Sequence, residues 1–460
     1  MKPVLVLLVV GLSPSLVGPH TPKLAAFARR SALRPLTTVL PAVTCTAQST
    51  LLTGLMPSGH GAVANGWYFR DLSEIWLWRQ SNRLIAGEKV WEAGRRRDPR
   101  FTCAKMFWWY NMYSSADWSA TPRPMYLSDG RKIPDHYTHP PALHDELDAK
   151  LGQFPLFRFW GPATDISSSQ WIAGATKHVM ATRDPTLTLC YLPHLDYDLQ
   201  RFGPDLAHPD VKKSLADIDR VAGELIDAAE AAGRTVIVVS EYGITPVTDA
   251  VHVNRALREA GLLAVRVERG RELLDAGASR AFALADHQVA HVYVQDPADV
   301  AAVRTLLEGL DGVETVLDAE GKRASGLDHP RSGELVAVSR ADRWFSYYYW
   351  LDDARAPDFA RTVEIHRKPG YDPVELFLDP AIGIPKLAVG WRLAKRMIGM
   401  RSLMDVISLK DTRLVKGSHG RLTDDPADGP LVISPRTDLM PDGAVAATDF
   451  KELVLAHVFE

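Results

Sequence analysis

The stretch PAVTCTAQSTLLTGLMPSGHGAVANGWY, residues 41–68, decides how the rest of this chain is read. Within it Thr44 stands where a helix opens, and His60-Gly61 makes a turn. Taken alone, a threonine in that place is an ordinary helix cap. The surroundings give it more. VLVLLVV (4–10) precedes it, and TLTLCYL (186–192) and TVIVVSEYG (235–243) follow, each with the apolar run that parallel strands bury on both faces. Between the last two, DVKKSLADIDRVAGELIDAAEAAG (210–233) repeats its apolar residues near a period of 3.6 and ends at Gly233, as a crossover helix does. Strand, helix and strand make a βαβ unit, which predicts an α/β fold: a mostly parallel central sheet with helices on both faces. Ligands on such sheets sit at the carboxyl ends of the strands. Interest therefore falls on Leu12 to Pro14, Pro193 to Pro204 and Ser240 to Thr245.

The chain has 460 residues, 46% of them apolar, enough for a large core and for one sheet carrying insertions. Fifty-three basic and 56 acidic residues leave a formal charge of −3, which argues against a nucleic-acid partner or a polybasic membrane surface. Cys45, Cys103 and Cys190 are odd in number and widely spaced, and fit reduced thiols better than a disulfide framework or a zinc knuckle. The opening MKPVLVLLVVGL is short for a signal peptide, carries Pro3 and lacks a small-x-small cleavage site, so it reads as a buried first strand. No later segment is apolar for the length of a membrane span. The expected location is the cytoplasm.

Further along, RAFALADHQVAHVYV (280–294) reads as one or two strands, and DPADVAAVRTLLEGLDGVETVL (296–317) as a helix returning to a strand. Residues 67–162 and 343–377 are dense in aromatics and read as cap insertions over one end of the sheet, within one domain spanning 1–460. There is no Walker A loop, no G-x-S-x-G elbow and no G-x-G-x-x-G after the first strand.

The 41–68 stretch resembles the nucleophile region of the alkaline phosphatase superfamily, in its nucleotide pyrophosphatase/phosphodiesterase branch. Pro41, Thr44, Thr53-Gly54, Pro57, His60-Gly61 and Asn65 fall at the spacings of that pattern. TPKLAAFAR (21–29), YLPHLDYDLQRFGP (191–204), SEYGITPV (240–247), VHVNRALREAGLL (251–263) and KGSHG (416–420) extend the resemblance over much of the chain. It implies an alkaline-phosphatase-like fold and hydrolysis of a phosphate ester, phosphodiester or pyrophosphate of a small metabolite. Thr44 is then the nucleophile, presented at a helix N-terminus whose N–H groups attract the anion. Asn65 stabilises charge on the transferred oxygen.

The resemblance also implies two metal ions, usually zinc, on Asp and His ligands, and here the sequence departs from the pattern. The Asp after the first strand falls on Val10; Asp196 is kept, but the His four residues on is Gln200. The Asp-His pair becomes Glu241 and Tyr242, and the last His is kept as His419. The expectation is a divalent ion held by Asp196, His419, Glu241 and Gln200, zinc or, for so oxygen-rich a set, manganese or magnesium. Fewer than two such ions are expected. Tyr242 and His194 stand by for proton transfer. His194, His287 beside Asp286, and the cations Arg367 and Lys368 of IHRKPGYDP (365–373) are the residues expected on the substrate, with Arg123, Arg131 and Lys132 of a second charged turn behind them. The aromatic clusters would line a pocket for a base, a sugar or a prenyl-like group. Two other readings remain open: a pseudoenzyme or binding protein that has lost its metals, and a phosphoryl transferase.

Overall fold

The computed structural model describes residues 1–129, 131–397, 400 and 402–460. Its centre is a nine-stranded sheet. In spatial order the strands are Val445–Ala446, Ala32–Thr37, Leu431–Ser434, Thr235–Val239, Val4–Val9, Leu187–Leu192, Cys103–Met106, Trp118–Pro122 and His136–His139. The five consecutive strands from Thr235–Val239 to Trp118–Pro122 run parallel. Leu431–Ser434 is antiparallel to both its neighbours, and His136–His139 is antiparallel to the strand it borders. Val4–Val9, the middle strand, has every side chain buried, as a strand covered by helices on both faces requires. The crossover helix Pro209–Ala231 packs on this strand and against the helices Pro22–Arg29 and Ser167–Arg183.

A second, four-stranded antiparallel sheet lies apart from the first. Its order is Ala281–Asp286, Val289–Val294, Leu335–Ser339, Val313–Leu317. The 280–294 segment is thus a hairpin, turning at His287 and Gln288. The 296–317 segment carries the helix Val300–Glu308 and the strand Val313–Leu317, as its periodicity predicts.

The two aromatic segments are more than caps. Residues 67–162 supply three strands of the central sheet, Cys103–Met106, Trp118–Pro122 and His136–His139. Their alternation is masked because Trp108, Phe107 and Trp91 are core residues of that sheet, not surface ones. In 343–377, Phe345, Tyr347, Tyr348, Tyr349 and Trp350 pack into the core of the second sheet. Among the described residues no helix is long and apolar enough to cross a membrane.

Candidate active site

Four pieces of chain converge beyond the carboxyl ends of the parallel strands. The helix Thr44–Thr53 begins at Thr44, after an extended Val43, and all ten of its residues are buried. Strand Thr235–Val239 runs out into Glu241 and Tyr242. Strand Leu187–Leu192 leads into the helix His194–Phe202, whose first turn carries Asp196. The loop at His419-Gly420 closes the site by bridging to Ala42. Gly420 has φ +113°, and a Cβ there would stand 3.0 Å from the backbone nitrogen of Gln288, so the loop approaches the hairpin turn more closely than a side chain allows.

The side chains form one network. Thr44 Oγ1 donates to Glu241 Oε1 at 2.9 Å and lies 3.2 Å from the Tyr242 hydroxyl. Tyr242 donates to Asp196 Oδ1 at 3.1 Å, and Gln200 Nε2 donates to Asp196 Oδ2 at 2.8 Å. Tyr371 in turn donates to Gln200 Oε1 at 2.9 Å. Four rings stack in a column: Tyr242 on His419 at 3.6 Å, His419 on His287 at 3.6 Å, His287 on Tyr371 at 3.7 Å. Asn65 is clamped on three sides. Its Oδ1 accepts from the backbone N–H of Cys45 at 3.0 Å, while its own N–H and Nδ2 donate to the two oxygens of Asp286 at 2.7 and 3.0 Å. One Nδ2 hydrogen is left for a ligand.

Burial sets the electrostatics. It pushes the Asp196 carboxyl up to about 7, Glu241 up to about 8 and Asp286 up to about 7. It pushes the His419 imidazole down to about 3. His287 is held neutral too, well below the usual histidine range, by burial and then by His419. The backbone at His287 has φ 58°, an unfavourable conformation for a histidine, which the column of rings holds in place.

The sequence-derived ligands can be tested against these atoms. Glu241 Oε2 and His419 Nε2 are buried with no hydrogen-bond partner, and His419 Nε2 lies 3.8 Å from Asp196 Oδ1. Two buried carboxylates and a neutral imidazole with free lone pairs suit one divalent cation. A second ion does not fit. Val10 offers no donor, the Tyr242 hydroxyl stands between Thr44 and Asp196, and both ends of the Gln200 amide are engaged. Gln200 thus acts as a support for Asp196 where the sequence reading made it a ligand.

The other expected residues separate. His287 joins the site. Arg367 lines the chamber above it, its guanidinium 5.7 Å over the Phe359 ring. Lys368 does not reach a ligand: it is fully buried and paired with Asp372 at 2.7 Å and Glu375 at 2.6 Å. His194 shares a helical turn with Asp196 but, two residues away, faces elsewhere, into the field of Asp198 and Asp217. Arg123, Arg131 and Lys132 line the chamber. Asp286 and Tyr371 were legible only as a strand end and a charged turn. Nothing in their sequence context marks them as the residues that hold Asn65 and Gln200.

The chamber holds about 2070 Å³, against a few hundred to a thousand for an ordinary ligand pocket. Thr44, Asp196, Tyr242, His287 and His419 form part of its lining, and its walls are largely aromatic and aliphatic, from Trp76, Trp78 and Trp109 to Phe159, Val389 and Leu393.

Residues 4–372 match the model of a family described as type I phosphodiesterase/nucleotide pyrophosphatase. An uncharacterized pyrophosphatase/phosphodiesterase of Schizosaccharomyces pombe is 25% identical over 240 residues, which are 50% of this chain and 42% of that protein's length. Among solved structures, phosphonoacetate hydrolase from Sinorhizobium meliloti 1021 in complex with phosphonoformate is similar, with a TM-score of 0.62 at 16% identity over 99% of this chain and 96% of the other. An inactive variant of murine ectonucleotide pyrophosphatase/phosphodiesterase 5 in complex with AMP has a TM-score of 0.58 at 15% identity, over 100% and 95%. At those identities the two structures speak for the fold, which is alkaline-phosphatase-like. The fold, the ordered residues from Pro41 to Asn65 and the family match over most of the chain agree: this protein belongs to the type I phosphodiesterase/nucleotide pyrophosphatase family, whose members are metal-dependent hydrolases of phosphoric ester bonds.

Proposed function

We propose that this protein hydrolyses a phosphate ester or diester of a small metabolite with a bulky apolar part, using Thr44 as nucleophile. The observation that carries this reading is the hydroxyl of Thr44 at a helix N-terminus, 2.9 Å from a carboxylate oxygen and at the floor of an apolar chamber. Thr44 Oγ attacks phosphorus as the bond to the leaving oxygen breaks, and its proton passes to Glu241 Oε1. The free Nδ2 hydrogen of Asn65 meets a non-bridging oxygen, its direction fixed by Asp286. The leaving oxygen departs as an oxyanion and takes a proton from solvent. Water then attacks phosphorus, Glu241 returns its proton to Oγ as the Oγ–P bond breaks, and the water's oxygen leaves in the phosphate product with its proton released to solvent. Asp196, His419 and Glu241 would hold one divalent ion, which supplies positive charge to the phosphoryl oxygens. Of the five arginines on the chamber lining, Arg131 and Arg158 are paired with Asp129 and Asp165, but Arg79, Arg123 and Arg367 have no carboxylate within ion-pair distance among the described residues, which favours an anionic substrate. The phosphonoformate and AMP bound by the two similar structures are compatible with that class.

The test is turnover of aryl phosphate monoesters and diesters by the wild type and by Thr44→Ala. Loss of the nucleophile should lower kcat at least about a thousand-fold, and Thr44→Ser should recover much of it. Equal residual rates in all three proteins would remove Thr44 from the chemistry.

A further inference from the structure

At the far edge of the central sheet, a second group of metal-ligating side chains stands apart from the Thr44 site. His136 begins the edge strand His136–His139 with Asp135 just before it, and His144 and Asp148 lie one turn apart on the helix Ala142–Leu151 that follows. His144 Nε2 is 2.8 Å from Asp135 Oδ1 and 4.0 Å from Asp148 Oδ2. His136 Nδ1 is 3.9 Å from Asp135 Oδ1 and 3.8 Å from Asp148 Oδ1. Most of those separations are too long for hydrogen bonds. His144 and Asp135 are hydrogen-bonded at 2.8 Å, and the other three separations, 3.8–4.0 Å, exceed by about half an ångström the roughly 3.3 Å between two ligands of a tetrahedral ion with bonds near 2.0–2.1 Å, a gap that side-chain adjustment closes.

A second observation points the same way. The His136 side chain is wholly buried, yet neither of its ring nitrogens has a hydrogen-bond partner, and Asp148 Oδ1 is buried without one as well. Buried polar atoms left this way are rare in a folded protein unless something absent from the chain satisfies them. Around them the group is braced as metal ligands usually are. His144 Nδ1 is 3.1 Å from Asp145 Oδ1, and Asp135 Oδ1 accepts from the His136 N–H at 2.8 Å. The His136 ring is packed on His144 at 4.5 Å and edge-on to Trp171 at 4.9 Å. Among the described residues Asp135, His136 and His144 are where three such ligand atoms lie within 4.8 Å of one another, and Asp148 stands beside them, offering Oδ1 to His136 and Oδ2 to His144.

We infer that Asp135, His136, His144 and Asp148 form a structural zinc site that ties the edge strand to the helix behind it. Two imidazoles and two carboxylates are a nitrogen/oxygen set that zinc takes in preference to magnesium or calcium. A closed four-ligand set is structural, with no open position for substrate. Its place gives it a use: Ile133 and Pro134, just before the cluster, line the chamber, and Gln153, two residues past the end of the same helix, donates to the Pro134 carbonyl at 2.7 Å. The ion would fix that wall.

The experiment uses the full chain, loaded with Zn²⁺ and dialysed against zinc-free buffer. Asp196→Asn/His419→Gln, which leaves the cluster untouched, should retain about one zinc per chain and gain a few degrees in thermal midpoint from added Zn²⁺. Adding His136→Gln/His144→Gln should abolish both. If that protein does not fold, the half-exposed Asp148→Asn in the same background serves instead, with at least about ten-fold weaker retention expected. Unchanged zinc content after the cluster substitutions, or no zinc held in the Asp196→Asn/His419→Gln protein, overturns the assignment.

Discussion

The ring of Tyr242 lies flat on that of His419, with centroids 3.6 Å apart and planes 6° from parallel. The resemblance puts a histidine ligand where this tyrosine stands. The ring keeps the shape of the site while its hydroxyl, between Thr44 and Asp196, fills the space where a second cation would need room. A side chain that replaces a ligand with a hydrogen-bonding bridge keeps the nucleophile oriented with fewer charges.

Tyr242→Phe separates the ring from the bridge. The stack on His419 survives, but Asp196 Oδ1 and Thr44 each lose a partner. The expected cost is about 1–2 kcal/mol of stability, read by denaturant unfolding. The larger effect should be on turnover, a fall of at least about ten-fold in kcat with KM nearly unchanged, since the hydroxyl positions Thr44 and does not hold substrate. A change confined to KM would place the phenol on the substrate instead.

Asp286 is the second positioning residue. It accepts from the backbone N–H and one Nδ2 hydrogen of Asn65, so its removal leaves the amide held only through Oδ1 by the Cys45 N–H and able to swing away from the phosphoryl group. Asn65→Ala should lower kcat about a hundred-fold. Asp286→Ala should approach the same loss. The double variant should be scarcely worse than either single one, because the two act as one unit. Additive losses would mean that Asp286 has work of its own.

The parallel strands, the crossover helix and the order Thr44, Asn65, Asp196, Glu241, His419 were legible because each is local: a run of Val and Leu, a 3.6 period, a motif of fixed spacing. Lys368 shows where that stops. Beside Arg367 on a charged turn it reads as a surface cation, but Asp372 and Glu375 take it inside, and only the fold of residues 368–375 brings the three together. Tyr371 is similar. Its hydroxyl meets Gln200 across 171 residues of chain, a contact no spacing encodes. The strands Cys103–Met106 and Trp118–Pro122 were hidden for another reason: their neighbours are large aromatics that serve the core, so composition mimicked a cap.

Two buried histidines make the fold acid-labile. His60 Nδ1 accepts from the Ala62 N–H at 3.1 Å, and His291 Nδ1 accepts from the Gly333 N–H at 3.2 Å. Each ring is therefore neutral, with its proton on Nε2, and burial pushes the two down to about 3 and about 4. In the unfolded chain both titrate near 6.5. Below that pH the unfolded state binds protons that the folded state refuses, so stability is full above about 6.5 and falls as the pH drops towards 4. The loss is on the order of 3 kcal/mol for each ring at the acid end. Asp196, Glu241 and Asp286, held above their unfolded values, act in the opposite sense over the same range, so the readout is a difference: in urea midpoints from pH 7.5 to pH 4.5 the wild type should lose stability relative to His291→Gln as the pH falls. A gap between wild type and His291→Gln that stays constant over that range would show that the His291 ring is not held neutral.

The chamber makes a prediction about substrates. Trp76, Trp78, Trp109, Phe159, Val389 and Leu393 offer an apolar wall far larger than a phosphoryl group needs, continuous with Thr44. Burying one methylene on such a wall improves binding about three- to four-fold. Alkyl p-nitrophenyl phosphodiesters of increasing chain length should therefore show KM falling by up to that factor per carbon, with kcat little changed, because the tail contacts the wall equally in the ground and transition states. Val389→Glu, on the partly exposed helix Pro385–Met397, places a charge on the wall and should remove most of the chain-length dependence while leaving the methyl ester unaffected. A KM that is flat or rises with chain length would assign the chamber to polar ligands. The three unpaired arginines on its lining, Arg79, Arg123 and Arg367, would then be the residues that bind them.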